Sequence, residues 1–183
     1  MNKTKGGKSM KKKRYNSLEE FDNFKFLEGR ILGSKNNLYG IFALNGSLIL
    51  PVEFSYIDLW DNCYYVEKNG LAGIFALNGS SILPVEFDYI GLWEDCFYVE
   101  RNCLVGTFAF DGSPIIPVEF ELLENWNDCF CVEKDCLRGV FSRDGSPIIP
   151  IGFDYIENCD DCFIAIIDGV EYHSTRNGSP ILK

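Results

Sequence analysis

The chain has 183 residues, a length typical of one or two domains. Hydrophobic residues make up 46% of the sequence and aromatic residues 15%, which is ample for a packed core. The formal net charge is −10 but uneven: residues 1–14 hold seven cations and no acid, whereas residues 15–183 hold 27 acids against 10 Lys and Arg. An acidic body repels nucleic acid and attracts basic surfaces, so we expect a protein partner with a basic surface and no direct nucleic-acid binding by this body.

The start of the chain is polar and basic. No apolar segment follows it, so it does not have the pattern of a secretory signal. We predict that residues 1–16 form a disordered tail, acting either as a solubilising extension or as an anchor to nucleic acid or anionic lipid. Met10 precedes a basic run, and the sequence leaves open whether the protein begins at Met1 or Met10. No apolar run approaches the ~20 residues of a membrane helix, so we predict no membrane span and a cytoplasmic location.

Residues 17–37 have two competing interpretations. Ser17 and Glu20 form a capping box, which is typical of a short helix. However, two segments here lie 33 residues before similar ones: Phe21-Asp22 before residues 54–55, and Lys35-Asn36-Asn37 before residues 68–70. This common spacing indicates the second half of a repeat. We predict an N-terminal cap made of half a repeat, with room for one helical turn, because terminal repeats have one face in water.

A 33-residue unit then repeats along the chain. Four copies span 38–70, 71–103, 104–136 and 137–169, and a partial copy spans 170–183. Within each copy a Gly, two Phe, an Asn/Asp-Gly-Ser triplet, an Ile, a Pro and a Cys recur at fixed positions. In the second copy these are Gly73, Phe75, Phe87, Asn78-Gly79-Ser80, Ile82, Pro84 and Cys96.

Each copy is predicted to contain three strands. In the second copy, Leu71–Leu77 alternates in polarity and Asn78-Gly79 is typical of a tight type I′ turn. Ser81–Ile90 is predicted to be the next strand, with a bulge or break at Pro84, and Cys96–Glu100 the last. The predicted fold is all-β: an open, solenoid-like array of antiparallel hairpin or meander repeats. A closed, propeller-like arrangement is the alternative, and three strands per copy argue against it.

The two recurring Phe positions predict the core. One repeat cannot bury its own apolar face, so identical residues in successive copies are expected to stack. Burying each ring stabilises the fold by roughly 1.5–3 kcal/mol. The two columns are Phe42, Phe75, Phe108 and Phe141, and Phe54, Phe87, Phe120 and Phe153.

The order of strand, Gly, aromatic residue, Asx-Gly turn and Ile-Ile/Leu-Pro resembles the bacterial WG (KWG) repeat. The segments that carry the resemblance include LVGTFAFDGSPIIPVEF (104–120) and LRGVFSRDGSPIIPIGFDYI (137–156). It covers about residues 38–183. The resemblance implies a β-rich repeat array that serves as a binding or accessory module, and it implies no catalytic residue. The Trp for which the family is named is replaced here by Tyr39, Ala72, Val105, Arg138 and Glu171.

The eight Cys allow three interpretations. Cys63, Cys96, Cys129 and Cys162 share one repeat position, which favours a ladder of small buried hydrophobic residues. Cys159 and Cys162 form a C-x-x-C spacing that is compatible with zinc, but four convergent ligands are needed for such a site. Disulfides are the third interpretation, and without a secretion signal reduced thiols are expected. We predict structural cysteines and no metal or other cofactor.

No catalytic constellation is visible in the sequence. His173 is the sole His, and a catalytic triad or a His-metal site is not built from one such residue. The chain has no Gly-rich phosphate loop, and its paired carboxylates repeat with the unit, as surface features do. The Asn-Gly-Ser triplets match the glycosylation sequon, but turn chemistry already accounts for them. We predict a protein that is not an enzyme.

Two repeating columns are the candidate binding residues. The first is a Trp column in which each Trp is followed by acids, and it is either a buried ladder or an exposed aromatic and acidic stripe of the composition found at binding hot spots. The second is a Glu column followed by cations, which serves either as a binding surface or to solvate the sheet and block edge pairing. The candidate residues are Trp60, Trp93, Trp126, Asp61, Glu94, Asp95 and Asp128 in the first column and Glu67, Glu100 and Glu133 in the second.

The predicted function is a protein–protein interaction module. One alternative is an acidic inhibitor that occupies the basic channel of a nucleic-acid enzyme, as a phage or mobile-element protein would. Another is glycan binding through stacked aromatic residues.

Overall fold

The computed structural model describes residues 21–181, which form 19 β-strands in five antiparallel sheets. The all-β repeat fold predicted from the sequence is confirmed, and the sheets do not close into a barrel. No helix occurs among the described residues, so none of them provides a helix that spans a membrane. The predicted tail over residues 1–16 and the capping box at Ser17–Glu20 lie outside the described residues.

The strands follow one another in chain order within each sheet. Sheet 1 contains β1 (Asn23–Leu27), β2 (Arg30–Lys35), β3 (Leu38–Ala43) and β4 (Leu48–Phe54); sheet 2 contains β5 (Tyr56–Trp60), β6 (Cys63–Lys68), β7 (Leu71–Ala76) and β8 (Ser81–Phe87). Sheet 3 contains β9 (Tyr89–Leu92), β10 (Phe97–Arg101), β11 (Leu104–Phe108) and β12 (Pro114–Phe120); sheet 4 contains β13 (Leu122–Trp126), β14 (Cys129–Lys134), β15 (Leu137–Ser142) and β16 (Pro147–Phe153). Sheet 5 contains β17 (Tyr155–Asn158), β18 (Cys162–Ile167) and β19 (Val170–Thr175).

The prediction of three strands per copy is wrong, because each full repeat supplies four. The predicted strand Ser81–Ile90 divides at Asp88 into β8, the last strand of sheet 2, and β9, the first strand of sheet 3. The Asp88 backbone N–H donates to the Glu100 carbonyl at 2.8 Å and directs the chain into the next sheet. A four-stranded antiparallel meander is the unit from which propellers are built, so the argument against a propeller-like arrangement does not hold.

The carboxylate at this boundary position also fixes a turn. The Asp88 Oδ2 atom accepts a hydrogen bond of 2.6 Å from the Asn102 backbone N–H, in the turn between the second and third strands. At three other boundaries the carboxylate accepts an equivalent hydrogen bond from a turn N–H, with donor–acceptor distances between 2.7 and 3.1 Å; these acceptors are Asp22, Glu121 and Asp154. At the remaining boundary Ser55 replaces the acid, and its Oγ donates to the Glu67 carbonyl instead.

The Asx-Gly-Ser turns are not the predicted type I′ turns. In the turn after β7 only Gly79 has a positive φ, and the Gly79 N–H donates to the Ala76 carbonyl at 2.8 Å. This is a type I turn followed by a left-handed Gly, the common three-residue hairpin loop. The Asn78 side chain accepts from the Ser80 N–H, which explains why Asn or Asp recurs there.

Of the interruptions expected at Pro84, the structure has a bulge. The pairing shifts from Ala72 opposite Phe87 to Ile74 opposite Leu83, so β8 bows over Gly73. A Cβ on Gly73 would lie 2.9 Å from the Val85 Cα, closer than real Cβ contacts. The recurring Gly is therefore needed because the bulged backbone passes directly over it.

The core is divided among the four junctions between consecutive sheets. Each junction packs one face of a sheet against the opposite face of the next. In the junction between sheets 2 and 3, for example, Ile74 and Leu83 of sheet 2 pack with Phe97 and Val99 of sheet 3. Burial of apolar side chains therefore depends on neighbouring sheets, as predicted for a repeat array.

The two Phe columns meet across these junctions. Phe54, Phe87 and Phe120 are buried, as predicted. Phe153, the last member of that column, is half-buried. In the other column Phe42 is buried, whereas the later rings are half-buried and contact Phe54, Phe87 and Phe120 from the next sheet, in edge-on or tilted geometry at centroid distances of 5.7–6.0 Å; these later rings are Phe75, Phe108 and Phe141. The columns therefore interlock and do not form two separate stacks.

The turn glycine of each later sheet rests on the sheet before it. A Cβ on Gly112 would overlap the carbonyl oxygen of Ile82, which belongs to β8 of the preceding sheet. Gly46 in sheet 1 has no preceding sheet, and nothing lies within 4 Å of its Cβ position. The other contacts of this kind join Gly79 to Ile49, Gly145 to Ile115 and Gly178 to Ile148.

Replacing a turn glycine tests this contact. Gly46 and Gly112 occupy equivalent turns with φ values of 81° and 88°, so an alanine at either position has the same backbone strain of about 1–2 kcal/mol. Gly112→Ala additionally forces sheet 3 away from sheet 2. We expect Gly112→Ala to lower the free energy of unfolding by at least ~2 kcal/mol more than Gly46→Ala in urea titrations. Equal losses in the two variants would contradict the contact.

The turns that join the second and third strands contain a second strained position. Cys103 and Cys136 have φ values of 62° and 63°, where the equivalent residues Gly70 and Gly169 have no Cβ to oppose that conformation. Both Cys are exposed and free. We expect Cys103→Gly and Cys136→Gly each to raise the free energy of unfolding by about 0.5–1 kcal/mol, because relief of the left-handed strain exceeds the entropy cost of Gly. Cys103→Ala keeps the strain and is the control, which is expected to leave stability nearly unchanged.

Candidate binding site on the tryptophan rim

The Trp loops and the Asx-Gly-Ser turns lie at the same end of every sheet. Cys63, at the start of β6, pairs with Ala76, at the end of β7, so the loop after Trp60 is adjacent to the turn after Ala76. We call this end the Trp rim; it comprises the loops at 60–63, 93–96, 126–129 and 159–162 and the turns at 44–47, 77–80, 110–113, 143–146 and 176–179.

Each Trp is half-buried and faces the next sheet. Trp93 packs against Tyr98 of its own sheet at 5.1 Å and stacks on Phe130 of sheet 4 at 6.0 Å. Trp126 stacks in the same way on Phe163 of sheet 5 at 6.4 Å, and its indole N–H donates to Glu124. The Trp column therefore combines the two interpretations, since its rings help to pack the junctions and their edges are open to solvent.

The Glu column lies on the same face as the Trp column, at the other end of the second strands. Tyr65 connects the two columns in sheet 2: its ring stacks on Trp60 at 4.7 Å and its hydroxyl donates to Glu67 at 2.9 Å. Burial, with that hydrogen bond, raises the pKa of Tyr65. Glu67, Glu100 and Glu133 lie about four residues along a strand from the rim, or roughly 13 Å, so they are not part of it.

The cations that follow the Glu column are already engaged. Lys68, Arg101 and Lys134 form ion pairs with Glu53, Glu86 and Glu119 on the fourth strand of the preceding sheet. Arg138 pairs with Glu133 at 3.0 Å. These surface pairs contribute little stability, but they leave no continuous basic line on sheets 2–5.

Two arginines from the rim turns close the last two junctions. Arg143 lies 4.4 Å above the Phe130 ring and its Nε donates to the Asn127 carbonyl at 2.7 Å, while its guanidinium pairs with Asp95 of sheet 3 at 3.6 Å. Arg176 lies 4.4 Å above the Phe163 ring and pairs with Asp128 of sheet 4 at 2.6 Å. In this chain the candidate residues Asp95 and Asp128 thus hold internal arginines.

The Arg176 guanidinium changes the titration of its partner. Burial raises the pKa of Asp128, but the hydrogen bond and positive charge of Arg176 outweigh it and hold this pKa below its ordinary value. Asp128 is therefore ionised at neutral pH, as its ion pair with Arg176 requires.

The junction between sheets 2 and 3 has an open pocket of about 370 Å³. Trp60, Trp93 and Phe97 form its aromatic walls, and Asp61 and Glu94 are exposed at its mouth. Leu92 and Phe110 also line it and are 48% and 45% exposed, so two large apolar side chains meet solvent at one place. Of the predicted site residues, the pocket brings together Trp60, Trp93, Asp61 and Glu94.

Sequence reasoning missed the residues that distinguish this junction. Phe110, Arg143 and Arg176 occupy the same turn position, two residues before the turn glycine, and Leu77 precedes them in the series. The signal available in the sequence was that this position changes from an apolar residue in the earlier repeats to an arginine in the later ones. Turn chemistry alone does not reveal it, because the turn type depends on the Asx and Gly residues and not on the residue before them.

The recurring cysteines are packing residues. Of the predicted ladder, Cys63, Cys96 and Cys129 are buried in consecutive junctions, whereas Cys162 is half-buried, so burial is confirmed at three of the four positions. Cys131 is buried as well. Burial, aided by neighbouring carboxylates, raises the pKa of Cys96, Cys129 and Cys131 to about 12, so these thiols are protonated and unreactive at neutral pH.

The remaining candidate for chemistry is the region around His173. Its Nε2 lies against Glu171 Oε1 on the same strand, in the half-buried part of sheet 5. Among residues 21–181, no three His, Cys, Asp or Glu side chains are grouped to hold a metal ion.

Comparisons with known proteins leave the function open. No protein-family model matches the chain, and no curated protein matches it. Similar solved structures include Kluyveromyces lactis Hsv2, with 12% identity, a TM-score of 0.35 and coverage of 85% of this chain and 60% of that one. The N-terminal domain of Nup159 gives 9% identity, a TM-score of 0.36 and coverage of 88% and 60%. The chain spans about three fifths of each of these proteins, and at such scores the likeness carries no functional argument.

Proposed function

We propose that this protein is a non-catalytic binding module that holds a basic protein in the one open pocket described on its Trp rim, between sheets 2 and 3, and that its repeats are of the WG type. The observation that carries the proposal is the open pocket between sheets 2 and 3, where aromatic walls meet the carboxylates of Asp61 and Glu94. An exposed aromatic pocket with a charged border is the usual composition of a protein-binding hot spot.

The charge of the surrounding surface supports a basic partner. Residues 55–181 contain 22 Asp and Glu against six Lys and Arg, and all six of these cations already form ion pairs within the chain. An approaching basic surface therefore meets excess carboxylates and no free cation in sheets 2–5. Such complementarity accelerates association and discriminates against acidic partners.

The same charge supports a second candidate, in which the basic partner is a nucleic-acid enzyme and this protein occupies its binding channel. Nucleic acid then competes with the protein for the enzyme, whereas it does not compete for an unrelated basic partner. Glycan binding has less support, because the Trp rings face the next sheet and do not form a continuous platform.

Affinity capture tests the proposal with a control that the repeats provide. Trp60 lines the open pocket, whereas Trp126 occupies the equivalent loop of a junction that Arg176 closes. We expect the wild type and Trp126→Ala to retain the same basic proteins from a host lysate and Trp60→Ala to lose at least about 90% of them, a change of about 1.4 kcal/mol or more in binding. The retained proteins are expected to elute in about 1 M salt, where charges are screened beyond about 3 Å.

Thermal melts of both variants must show that each is folded. Retention of acidic proteins, resistance to salt, or equal loss in the two folded variants would contradict the proposal.

A further inference from the structure

The three junctions that follow sheet 2 are built from equivalent residues, so they can be compared position by position. In the junction between sheets 3 and 4, the side chains at the mouth are Asp95, Asn125 and Arg143. In the junction between sheets 4 and 5, the equivalent side chains are Asp128, Asn158 and Arg176. In both, the arginine stacks on a Phe ring, donates to the Asn amide oxygen and forms an ion pair with the Asp carboxylate. The chain thus closes these two sites with its own guanidinium groups.

The junction between sheets 2 and 3 lacks all three members of this set. Asn62, Leu92 and Phe110 occupy the positions that Asp95, Asn125 and Arg143 occupy one repeat later. Phe110 contacts the Phe97 ring edge-on at 5.1 Å, which covers that ring but does not fill the space that an arginine crosses. The result is an apolar pocket without a resident cation.

Carboxylates are nevertheless concentrated at this mouth. Asp61 and Glu94 occupy the same loop position in successive sheets, and both line the pocket. In the next sheet this position is Asn127, so each of the two later junctions has only one such carboxylate, from Glu94 or Asp160. The junction that lacks an internal cation therefore has the stronger negative potential at its mouth.

We propose that this pocket receives an arginine side chain of the basic partner, an inference that rests on the proposed function and identifies the group that is bound. The aliphatic stem lies along Leu92 and Phe110, while the guanidinium stacks on Trp60, reaches Trp93 where that residue borders the pocket, and pairs with Asp61 or Glu94. A guanidinium stacks on aromatic faces and is weakly hydrated, so arginine fits these walls better than lysine. The long side chains of cationic residues also pack their apolar stems while their heads stay polar.

Short peptides test this assignment on the whole chain. The probe is acetyl-Gly-Arg-Gly-amide, and the readout is the three indole N–H signals of Trp60, Trp93 and Trp126 in an NMR titration. We expect saturable shifts of the Trp60 and Trp93 signals and no shift at Trp126. In one control peptide citrulline replaces Arg and keeps its shape without the charge; in another, norleucine keeps only the apolar stem. We expect both peptides to bind at least about tenfold more weakly than the Arg peptide.

A variant that copies the closed junctions provides the second arm. Asn62→Asp combined with Phe110→Arg places the internal Asp and Arg of the later junctions in this one. We expect it to melt at or above the wild-type temperature and to lose the shifts of Trp60 and Trp93 with the Arg peptide. Leu44→Arg adds a cation at the equivalent turn position of sheet 1, where the side chain is exposed and lies outside the pocket. It is the control and is expected to keep the shifts.

Several outcomes overturn the inference. Equal binding of the norleucine and Arg peptides would make the site a purely apolar pocket, and an equal shift of Trp126 would make the binding nonspecific. Failure of the Arg peptide to bind, while a basic partner still depends on Trp60, would refute the arginine assignment and leave the proposed function intact. If no basic partner is captured although the peptide binds, the proposed function fails and the pocket stands.

Discussion

The contact between a turn glycine and the carbonyl of the preceding sheet determines how the five sheets fit together. No side chain can be inserted at Gly79, Gly112, Gly145 or Gly178, because a Cβ would overlap that carbonyl oxygen. The distance between consecutive sheets is therefore set by a contact between backbone atoms, and this contact recurs once in every repeat. Because each sheet buries its apolar face only against its neighbours, this distance also sets how well the four junction cores are packed.

Because of this contact, the side chain at a single turn position decides whether a junction site is open or closed. The residue two places before the turn glycine is held over the junction, where it covers the ring on the second strand of its own sheet. Arg143 and Arg176 use that position to bind acids of the preceding sheet, and Phe110 uses it to leave a pocket open. A fixed scaffold thus gives closed or open sites through a few substitutions per repeat, which diversifies binding without changing the fold.

Much of the fold was predictable from repetition and turn chemistry. The period, the all-β class, the bulge at Pro84 and the Phe54, Phe87 and Phe120 core follow from patterns that repeat with little change. The strand count was not predictable in this way, because Phe87, Asp88 and Tyr89 continue an alternating strand pattern although a backbone hydrogen bond from Asp88 to Glu100 ends one sheet and begins the next. Hydrophobic alternation does not record which sheet a strand joins.

The candidate site was predicted only in part for a related reason. Trp60, Trp93, Asp61 and Glu94 were identified by their recurrence, and they do meet in one pocket. Asp95 and Asp128 recur just as clearly, yet their partners Arg143 and Arg176 lie more than a full repeat further along the chain, one sheet away. Only the packing of consecutive sheets distinguishes a carboxylate with an internal partner from one that is open to another protein.

The central claim, that a few junction residues decide whether an arginine can bind, is tested most directly by transferring the open pocket to the next junction. A triple variant with Asp95→Asn, Asn125→Leu and Arg143→Phe removes the internal arginine and its partners from the junction between sheets 3 and 4, gives it the apolar wall found between sheets 2 and 3, and leaves the Glu94 carboxylate at its mouth. We expect acetyl-Gly-Arg-Gly-amide then to bind two sites per chain instead of one, with a new shift of the Trp126 indole signal. A folded triple variant that binds a single peptide, with Trp126 unchanged, would contradict it.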